Sequence, residues 1–291
     1  MAIPEIQLEA WSHQGPVATA LKACASVRAA LDAFDQWPDD VWLEPYLRGS
    51  YNNDTNISGD SDVDLVVQLN STFRTNLSSE QKAAYKIRPA TYPLRELRKD
   101  VRKAFTAYYG EFEVESKGNA IMVMTSFPPT AVIPALAYRR YPAAPRNGDD
   151  YAEGMIYYEF ESKRWVVDYP KQHAEGVTAK QKATHGWFKP TVRVFKNIRW
   201  QLLEVGALNI NDASSYFIEC LLGNVPEGKF GPTYGDTVAE SHDWLVQADM
   251  APFKCLNGIT PLFGTTPDCW STKKALRFLA AVRALWKQWS Q

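Results

Sequence analysis

Residues Leu47–Leu69, LRGSYNNDTNISGDSDVDLVVQL, decide the fold that this sequence predicts. The stretch begins with a tight turn at Gly49-Ser50 and ends with Asp62-Val63-Asp64 entering an apolar strand. Because strand side chains alternate, the two aspartates are expected on one face, where they repel unless a divalent cation lies between them. A glycine-serine turn supplies backbone N–H groups and a hydroxyl that can bind phosphate. The stretch therefore predicts phosphoryl or nucleotidyl transfer.

The composition is that of an ordinary soluble globular protein. The chain has 291 residues, of which 45% are hydrophobic and 22% charged, and this suits one large domain or two lobes. A net charge of −1 gives no global attraction to long nucleic acid or to an anionic membrane. We see no export signal and no apolar run of membrane-spanning length, so a cytoplasmic location is expected. The four cysteines lack metal-ligand spacing and are expected to be reduced core thiols (Cys24, Cys220, Cys255 and Cys269).

Hydrophobic periodicity predicts an α+β protein. One helix is expected at about Val17–Trp37 and another at Pro93–Tyr109, with Gly110 as its stop. Alternating and apolar runs predict strands over much of residues 41–168, and helical patterns dominate from Tyr169 onward. We therefore expect a mixed α/β catalytic lobe at residues 1–168 and a helical lobe at 169–291, with the active site in a cleft between them.

The shorter elements follow from the same patterns. Glu111–Glu115 alternates with period 2 and predicts a strand, as does the short run Thr130–Pro134. Met155–Phe160 and Trp165–Asp168 predict a β-hairpin. Apolar stripes predict further helices in the second lobe (Phe188–Val205, Ser214–Leu222, Asp236–Gln247 and Thr272–Trp289).

Several motifs carry a resemblance to a known family. The spacing of Gly49-Ser50 and Asp62-x-Asp64 resembles the nucleotidyltransferase signature. Together with further runs, it resembles the bacterial CD-NTases, which are relatives of cyclic GMP–AMP synthase. These enzymes make cyclic dinucleotide or trinucleotide signals in anti-phage (CBASS) defence. The resemblance implies a polymerase-β-like nucleotidyltransferase lobe followed by a helical lobe. The further runs are WSHQG at 11–15, IPALAYRRY at 133–141, RVFKNIR at 193–199 and SYFIECLLGNVP at 215–226.

The resemblance also implies roles for the residues of the opening stretch. Asp62 and Asp64 would hold two Mg²⁺ (or Mn²⁺) ions that bridge the donor triphosphate. Gly49 and Ser50 would contact the β- and γ-phosphates. The implied partners are nucleoside triphosphate substrates and regulatory or effector proteins of a defence operon, with the chain itself a monomer.

Three residues of the helical lobe receive roles from the same resemblance. Lys196 and Ser215 resemble the pair that grips the triphosphate, and Tyr216 the residue that stacks on a base. The alternative for Lys196 is a solvated helix position, and for Tyr216 it is packing in the core.

One position departs from the family pattern. CD-NTases use a third carboxylate on a neighbouring strand, and Ala131 stands where that acid is expected. Three explanations are open. Ala131 is an engineered inactivating substitution, or the chain is a natural pseudoenzyme, or another acid, Glu113 or Glu115, takes the role of the third carboxylate. Asp60 is too near the first pair to serve. In two-metal transfer the third carboxylate helps to activate the attacking hydroxyl, so we expect nucleotide binding to survive and turnover to be severely impaired.

The sequence thus predicts a cyclic oligonucleotide synthase that is inactive or impaired as written. The alternatives are a non-catalytic nucleotide-binding pseudoenzyme and a nucleotidyltransferase that modifies another acceptor, such as a small molecule, a protein or an RNA end. Near-neutral charge argues mildly against long RNA as that acceptor.

Overall fold

The computed structural model describes residues 2–59, 62–88, 92–125, 129–143, 145 and 147–289. Within these ranges the chain forms ten α-helices and seven strands, which confirms the predicted α+β class. The strands are β1 (Leu43–Leu47), β2 (Val63–Thr75), β3 (Val114–Lys117), β4 (Ala120–Val123), β5 (Thr130–Arg140), β6 (Ala152–Glu159) and β7 (Arg164–Asp168). The helices are α1 (Glu5–Ser12), α2 (Ala18–Asp32), α3 (Gly49–Asn53), α4 (Ser79–Ala84), α5 (Leu94–Tyr109), α6 (Pro170–Ala183), α7 (Phe188–Glu204), α8 (Ser215–Gly223), α9 (Tyr234–Gln247) and α10 (Thr272–Gln288).

The strands form one mixed sheet. Its main order is β1-β2-β5-β4-β3, and β6 joins β5 and is itself paired with β7. β2 and β5 run parallel, and the other described pairs are antiparallel. A parallel pair needs a crossover connection, and here the chain between β2 and β5 supplies α4, α5, β3 and β4. The parallel pairing matters for the site because it aligns the start of β2 with the start of β5.

One face of the sheet carries a buried apolar cluster beside the predicted metal ligands. Side chains two residues apart on a strand share a face, so Asp64 shares a face with Val66, and Ala131 shares one with Ile133. Val66 and Ile133 belong to the same cluster, which places Asp64 and Ala131 on one side of the sheet. The remaining buried members of this cluster are Ala135, Met155 and Tyr157.

The chain divides into two compact units. The helical unit comprises Met1–Pro16, Gly49–Asp60 and Lys171–Gln291, and the sheet unit comprises Val17–Arg48 and Ser61–Pro170. The packing therefore differs from the predicted division at 168/169, because two short segments from the first part of the chain pack with the later helices. The predicted lobes, 1–168 and 169–291, are continuous stretches of sequence, whereas the compact units are not, and the division into these lobes stays a prediction.

The helical unit is built on the stripe that the sequence predicts for α7. Val192, Phe195, Ile198 and Leu202 are all buried in one large apolar core. Leu8 of α1 is buried in the same core, so the N-terminal helix is part of this unit. The predicted helices at α7, α8, α9 and α10 are confirmed to within two residues at each end.

Two predicted strands differ from the observed elements. Glu111–Glu113 forms a 3₁₀ turn, and β3 begins only at Val114, so the predicted strand at Glu111–Glu115 is wrong for its first three residues. Gly110 at φ +98° redirects the chain after α5, and the alternating pattern that follows is used in a turn. The short strand predicted at Thr130–Pro134 continues to Arg140, because its second half pairs with both β2 and β6.

The expectations for the cysteines and for membrane-spanning helices can be compared with the structure. The four cysteines, all within the described ranges, are free thiols; Cys220 and Cys255 are buried as expected, but Cys24 and Cys269 are only half-buried, so their expected place in the core is wrong. No helix of the described residues combines the length and the apolar character needed to cross a membrane.

Candidate active site

The two predicted metal ligands lie at the start of β2. Asp62 directly precedes the strand, and Asp64 is its second residue. Asp64 has Ala131 of β5 as its register partner on one side. On the other side the Arg48 N–H donates to the Asp64 carbonyl oxygen at 3.0 Å, which continues the antiparallel ladder of β1 and β2. Arg48, Asp64 and Ala131 are therefore neighbours in one row across the sheet.

Position 131 has the geometry that a third carboxylate would need. Adjacent strands are about 4.8 Å apart, and register partners on neighbouring strands place their side chains on the same face. A carboxylate at position 131 would therefore lie beside that of Asp64. Ala131 is 8% exposed, and its methyl group gives that place no metal ligand.

The register also tests the two acids offered as substitutes. The row through Asp64 and Ala131 continues to Met122 on β4 and to Glu115 on β3. Three strand spacings put the Glu115 backbone about 14 Å from that of Asp64, which is beyond the reach of two side chains binding one ion. Glu113 lies outside the strand, in the 3₁₀ turn at the same edge of the sheet. The structure therefore brings neither glutamate to the metal-binding row.

Arg48 is a site residue that sequence reasoning missed. Its guanidinium lies 3.4 Å from the Asp168 carboxylate and also hydrogen-bonds with Tyr157. Burial opposes the charged form, but the carboxylates of Asp168 and Asp64 outweigh this effect, so the pKa of Arg48 is raised. Arg48 is thus a permanent positive charge on the Asp64 face. Its position directly before Gly49 was the available signal.

The predicted phosphate-binding turn begins a short helix. Gly49 has φ +67°, a backbone conformation that glycine adopts without strain, and α3 starts at this residue. The Ser50 carbonyl oxygen accepts a hydrogen bond from the Thr55 N–H at 2.9 Å, which closes the segment after the helix. The expected tight turn is therefore the first turn of a helix that belongs to the helical unit.

Lys196 lies at the centre of a buried polar cluster. Its Nζ donates to the Thr55 carbonyl oxygen at 3.0 Å, the Thr55 hydroxyl at 3.1 Å and a Glu219 carboxylate oxygen at 2.8 Å. Lys196 is 2% exposed, so the alternative of a solvated helix position is wrong. The three acceptors match the three N–H donors of an ammonium group. The triphosphate contact of Lys196 stays a prediction.

Glu219 holds the negative charge of this cluster. Burial raises the pKa of its carboxyl, but Lys196 and the hydrogen bond from His173 outweigh burial, and the net pKa is lowered. The His173 Nε2 lies 2.8 Å from the second carboxylate oxygen. Glu219 is therefore a buried carboxylate that stays ionised because its neighbours compensate for lost hydration.

Ser215 and Tyr216 begin α8. Ser214 caps the helix by accepting a hydrogen bond from the Phe217 N–H at 3.1 Å, which leaves Ser215 as the first helical residue. The Tyr216 ring is partly buried and stacks on His173 with ring centroids 4.6 Å apart. Tyr216 is therefore an aromatic surface next to the Glu219 cluster, and its contact with a base stays a prediction.

The carboxylates of Asp62 and Asp64 fit a hard divalent cation. Mg²⁺ is usually bound by one or two carboxylates together with substrate phosphates, and two oxygen-donor side chains meet that need. In the described part of the chain, no three His, Cys, Asp or Glu side chains form a metal-binding group. The donor set is thus two carboxylates, with a methyl group at the third position.

Comparison with known proteins places this site in a family. Residues 175–287 match the C-terminal helical domain of cGAS/DncV-like nucleotidyltransferases. The chain is also 48% identical over 291 residues to the cyclic UMP-AMP synthase of Rhodothermus marinus, and the match covers 100% of both chains. The chain belongs to the CD-NTase family. Members of the CD-NTase family are nucleotidyltransferases, and nucleotidyltransferases of this fold generally use divalent metal ions.

The similarity to CD-NTases, in structure and in sequence, covers nearly the whole chain. The structure of the Rhodothermus marinus CdnE c-UMP-AMP synthase with Apcpp and Upnpp matches with a TM-score of 0.93, covering 99% of this chain and 98% of that one at 48% identity. The cyclic nucleotide synthase CdnE01 of Staphylococcus haemolyticus is 33% identical over 300 residues, covering 99% of this chain and 100% of the relative. The CD-NTase fold therefore extends over both units of this chain.

Proposed function

We propose that this CD-NTase condenses nucleoside triphosphates into a cyclic dinucleotide or trinucleotide. A ribose hydroxyl of one nucleotide attacks the α-phosphate of another, the bond to the β-phosphate breaks, and pyrophosphate leaves with the electron pair. A second transfer within the linear intermediate closes the ring. The observation that carries the proposal is the full-length identity of 48% with a cyclic UMP-AMP synthase, so ATP and UTP are the first substrates to test.

Asp62 and Asp64 are proposed to hold two Mg²⁺ ions. When bound, the metal would neutralise the triphosphate charge and polarise the α-phosphate. Gly49 and Ser50 are proposed to contact the β- and γ-phosphates through backbone N–H groups and the hydroxyl. This assignment rests on the donor chemistry of these residues and on the family resemblance of their motifs.

In the helical unit, Ser215 is proposed to donate its hydroxyl to the triphosphate, and Tyr216 to stack on a base. Support comes from their place at the start of α8, where N–H groups and a positive dipole end favour an anion. The N–H groups of Lys196 already have protein acceptors, and the Glu219 carboxylate at 2.8 Å balances its charge. Its contribution to triphosphate binding is therefore proposed to be a weak electrostatic one.

Ala131 is proposed to limit turnover. Without a carboxylate beside Asp64, the attacking hydroxyl loses one group that would orient it and accept its proton. By analogy with the loss of one oxyanion-hole donor, the expected rate loss is about 10²–10³. Nucleotide binding through the remaining groups is expected to persist.

Product analysis tests the proposed reaction. The Ala131 chain and Ala131→Asp are incubated with radiolabelled ATP and UTP and Mg²⁺, and products are treated with phosphatase and separated. We expect Ala131→Asp to form a phosphatase-resistant cyclic product at about 10²–10³ times the rate of the Ala131 chain. Failure of this variant to form any cyclic product would reject the proposal that an acid at 131 completes the site.

A nucleotide-binding pseudoenzyme is the second candidate, and Ala131 is the observation that favours it. It predicts Mg²⁺-dependent binding of triphosphates by the Ala131 chain with no product from any combination of NTPs. A nucleotidyltransferase with another acceptor would need that acceptor, so cyclic product in its absence would exclude this alternative.

Membership of the family also supports proposals about the setting of the protein. We propose that it is a cytoplasmic monomer that acts in anti-phage defence, and that its partners are regulatory or effector proteins.

A further inference from the structure

The segment that follows the predicted phosphate-binding turn is anchored to a buried carboxylate far away in sequence. Among the described residues, four side chains donate to Glu219. The two donors from the segment are the Asn53 amide at 3.0 Å and the Thr55 hydroxyl at 2.5 Å. The other two are Lys196 at 2.8 Å and the His173 ring at 2.8 Å. Glu219 is 2% exposed, so protein groups take the place of water around its charge.

Two short connections link Glu219 to Ser50. Asn53 is the last residue of α3, the helix that starts at Gly49. Thr55 bonds to Glu219 through its side chain, and through its backbone N–H to the Ser50 carbonyl oxygen at 2.9 Å. A helix of five residues has little stability alone, because nucleation is unfavourable and few helical bonds follow it. The orientation of Gly49 and Ser50 therefore depends on the contacts at the end of α3.

The neighbouring residues of the segment are also tied to the helical unit. Lys189 donates to the Asp54 carboxylate at 2.8 Å, and Arg193 donates to the Asp54 carbonyl oxygen at 2.5 Å. Gln14 donates to the Asn56 side chain at 3.0 Å. These contacts fix the course of the segment at Asp54 and Asn56, while Glu219 contacts Asn53 and Thr55. Glu219 also lies on α8, about one helical turn after Ser215 and Tyr216, which are proposed to bind triphosphate and base.

We propose that Glu219 is a positioning residue for nucleotide binding, and that it acts through Asn53 and Thr55 on the Gly49-Ser50 turn. This inference rests on the proposed function of that turn. Glu219 aligns the turn with the start of α8 so that both can contact one triphosphate. The ionised carboxylate holds the two parts together, because it accepts hydrogen bonds from Asn53 and Thr55 of the segment and from Lys196.

The test is the affinity for a triphosphate relative to a monophosphate. Calorimetry with Upnpp and with UMP, in Mg²⁺, gives this ratio for each protein. Thr55→Val removes the hydroxyl and keeps the side-chain shape, whereas Thr55→Ser keeps the hydroxyl. We expect Thr55→Val to lower the ratio about fivefold or more, as the loss of a buried hydrogen bond implies, and Thr55→Ser to preserve it within about twofold. Asn53→Ala and Glu219→Gln should lower the ratio as well.

A matched control separates positioning from general loss of stability. Asp212 is a buried acid of the same unit that accepts a hydrogen bond from Arg277 at 2.5 Å, and its other hydrogen-bond partners in the described residues are Asn209 and Trp270 rather than residues 53–56. Asp212→Asn should therefore lower the melting temperature and leave the ratio unchanged. An equal ratio in Thr55→Val and the unsubstituted chain, or an equal loss of the ratio in Asp212→Asn, overturns the positioning role. An unsubstituted chain that binds UMP as tightly as Upnpp overturns the proposed phosphate turn itself. Should Thr55→Val fail to fold, Asn53→Ala carries the test.

Discussion

At the scale of single residues, the pairing of Asp64 with Ala131 makes the site sensitive to one substitution. A third carboxylate, at position 131 beside Asp64, adds negative charge to the face that already carries Asp62 and Asp64, and a divalent cation relieves the repulsion. We expect Ala131→Asp to lower the melting temperature in EDTA by a few degrees, about 1 kcal/mol, and Mg²⁺ to restore it. Differential scanning calorimetry measures both. Ala131→Asn is the control because it adds similar volume without charge, and equal Mg²⁺ sensitivity of the two variants would contradict the metal-binding geometry.

Glu219 predicts a defined dependence of stability on pH. Its pKa in the folded chain is lowered from 4.5, so its carboxylate stabilises the fold above that pH, and the stabilisation is lost as pH falls through the folded value. Glu219→Gln should therefore destabilise the protein by about 3 kcal/mol at pH 7, because Lys196 is left buried without its counter-charge. The difference should shrink below pH 4.5. Urea denaturation of both proteins across pH checks this, and a difference that is constant with pH would contradict the assignment.

Single residues were predictable from the sequence where their signal is local. Asp62 and Asp64 lie two apart, and the period of a strand is enough to put them on one face. Glu219 and Thr55 are 164 residues apart, and nothing near either one indicates the other. Arg48 had one local signal, its position directly before Gly49, but its contacts with Asp168 and Tyr157 join residues far apart in sequence and have no local signal.

At the scale of elements, prediction succeeded where both ends carry local signals. Pro93 precedes α5 and Gly110 follows it at φ +98°, and the predicted helix agrees with the observed one to within one residue. The short helices α1, α3 and α4 were not predicted, because few residues give little periodicity and their stability comes from tertiary contacts. The second half of β5 was missed because pairing with two neighbouring strands extends it.

The start of α3 gives a prediction with its own control. Gly49 at φ +67° occupies a conformation that a Cβ disfavours by about 1–2 kcal/mol, so Gly49→Ala should destabilise the turn and weaken Upnpp binding. Gly110→Ala imposes a comparable strain at φ +98° at the end of α5, outside the proposed binding residues. Melting temperatures and calorimetric affinities are compared. Loss of affinity in Gly110→Ala, or unchanged affinity in Gly49→Ala, would contradict a phosphate role for the turn.

At the scale of the whole molecule, the helical unit needs segments from the beginning of the chain. Leu8 is buried in its core, and Thr55 supplies partners to both Lys196 and Glu219. We expect a fragment of residues 169–291 to lack a cooperative thermal transition, because it leaves an apolar surface and a buried ion pair uncovered. Near-ultraviolet circular dichroism and calorimetry measure this. A fragment with a native-like spectrum and a sharp transition would support the division at 168/169 that the sequence predicts.

We expect residues 47–69 to bind a metal-nucleoside triphosphate whether or not an acid is present at position 131. Calorimetric titration with Upnpp, with and without Mg²⁺, tests this most directly in the Ala131 chain, Ala131→Asp and Asp64→Asn. Binding by the Ala131 chain should depend on Mg²⁺ and lie within about tenfold of Ala131→Asp, and Asp64→Asn should lose about tenfold or more in affinity. Binding by Ala131→Asp but not by the Ala131 chain, or unchanged affinity in Asp64→Asn, would contradict this role of residues 47–69.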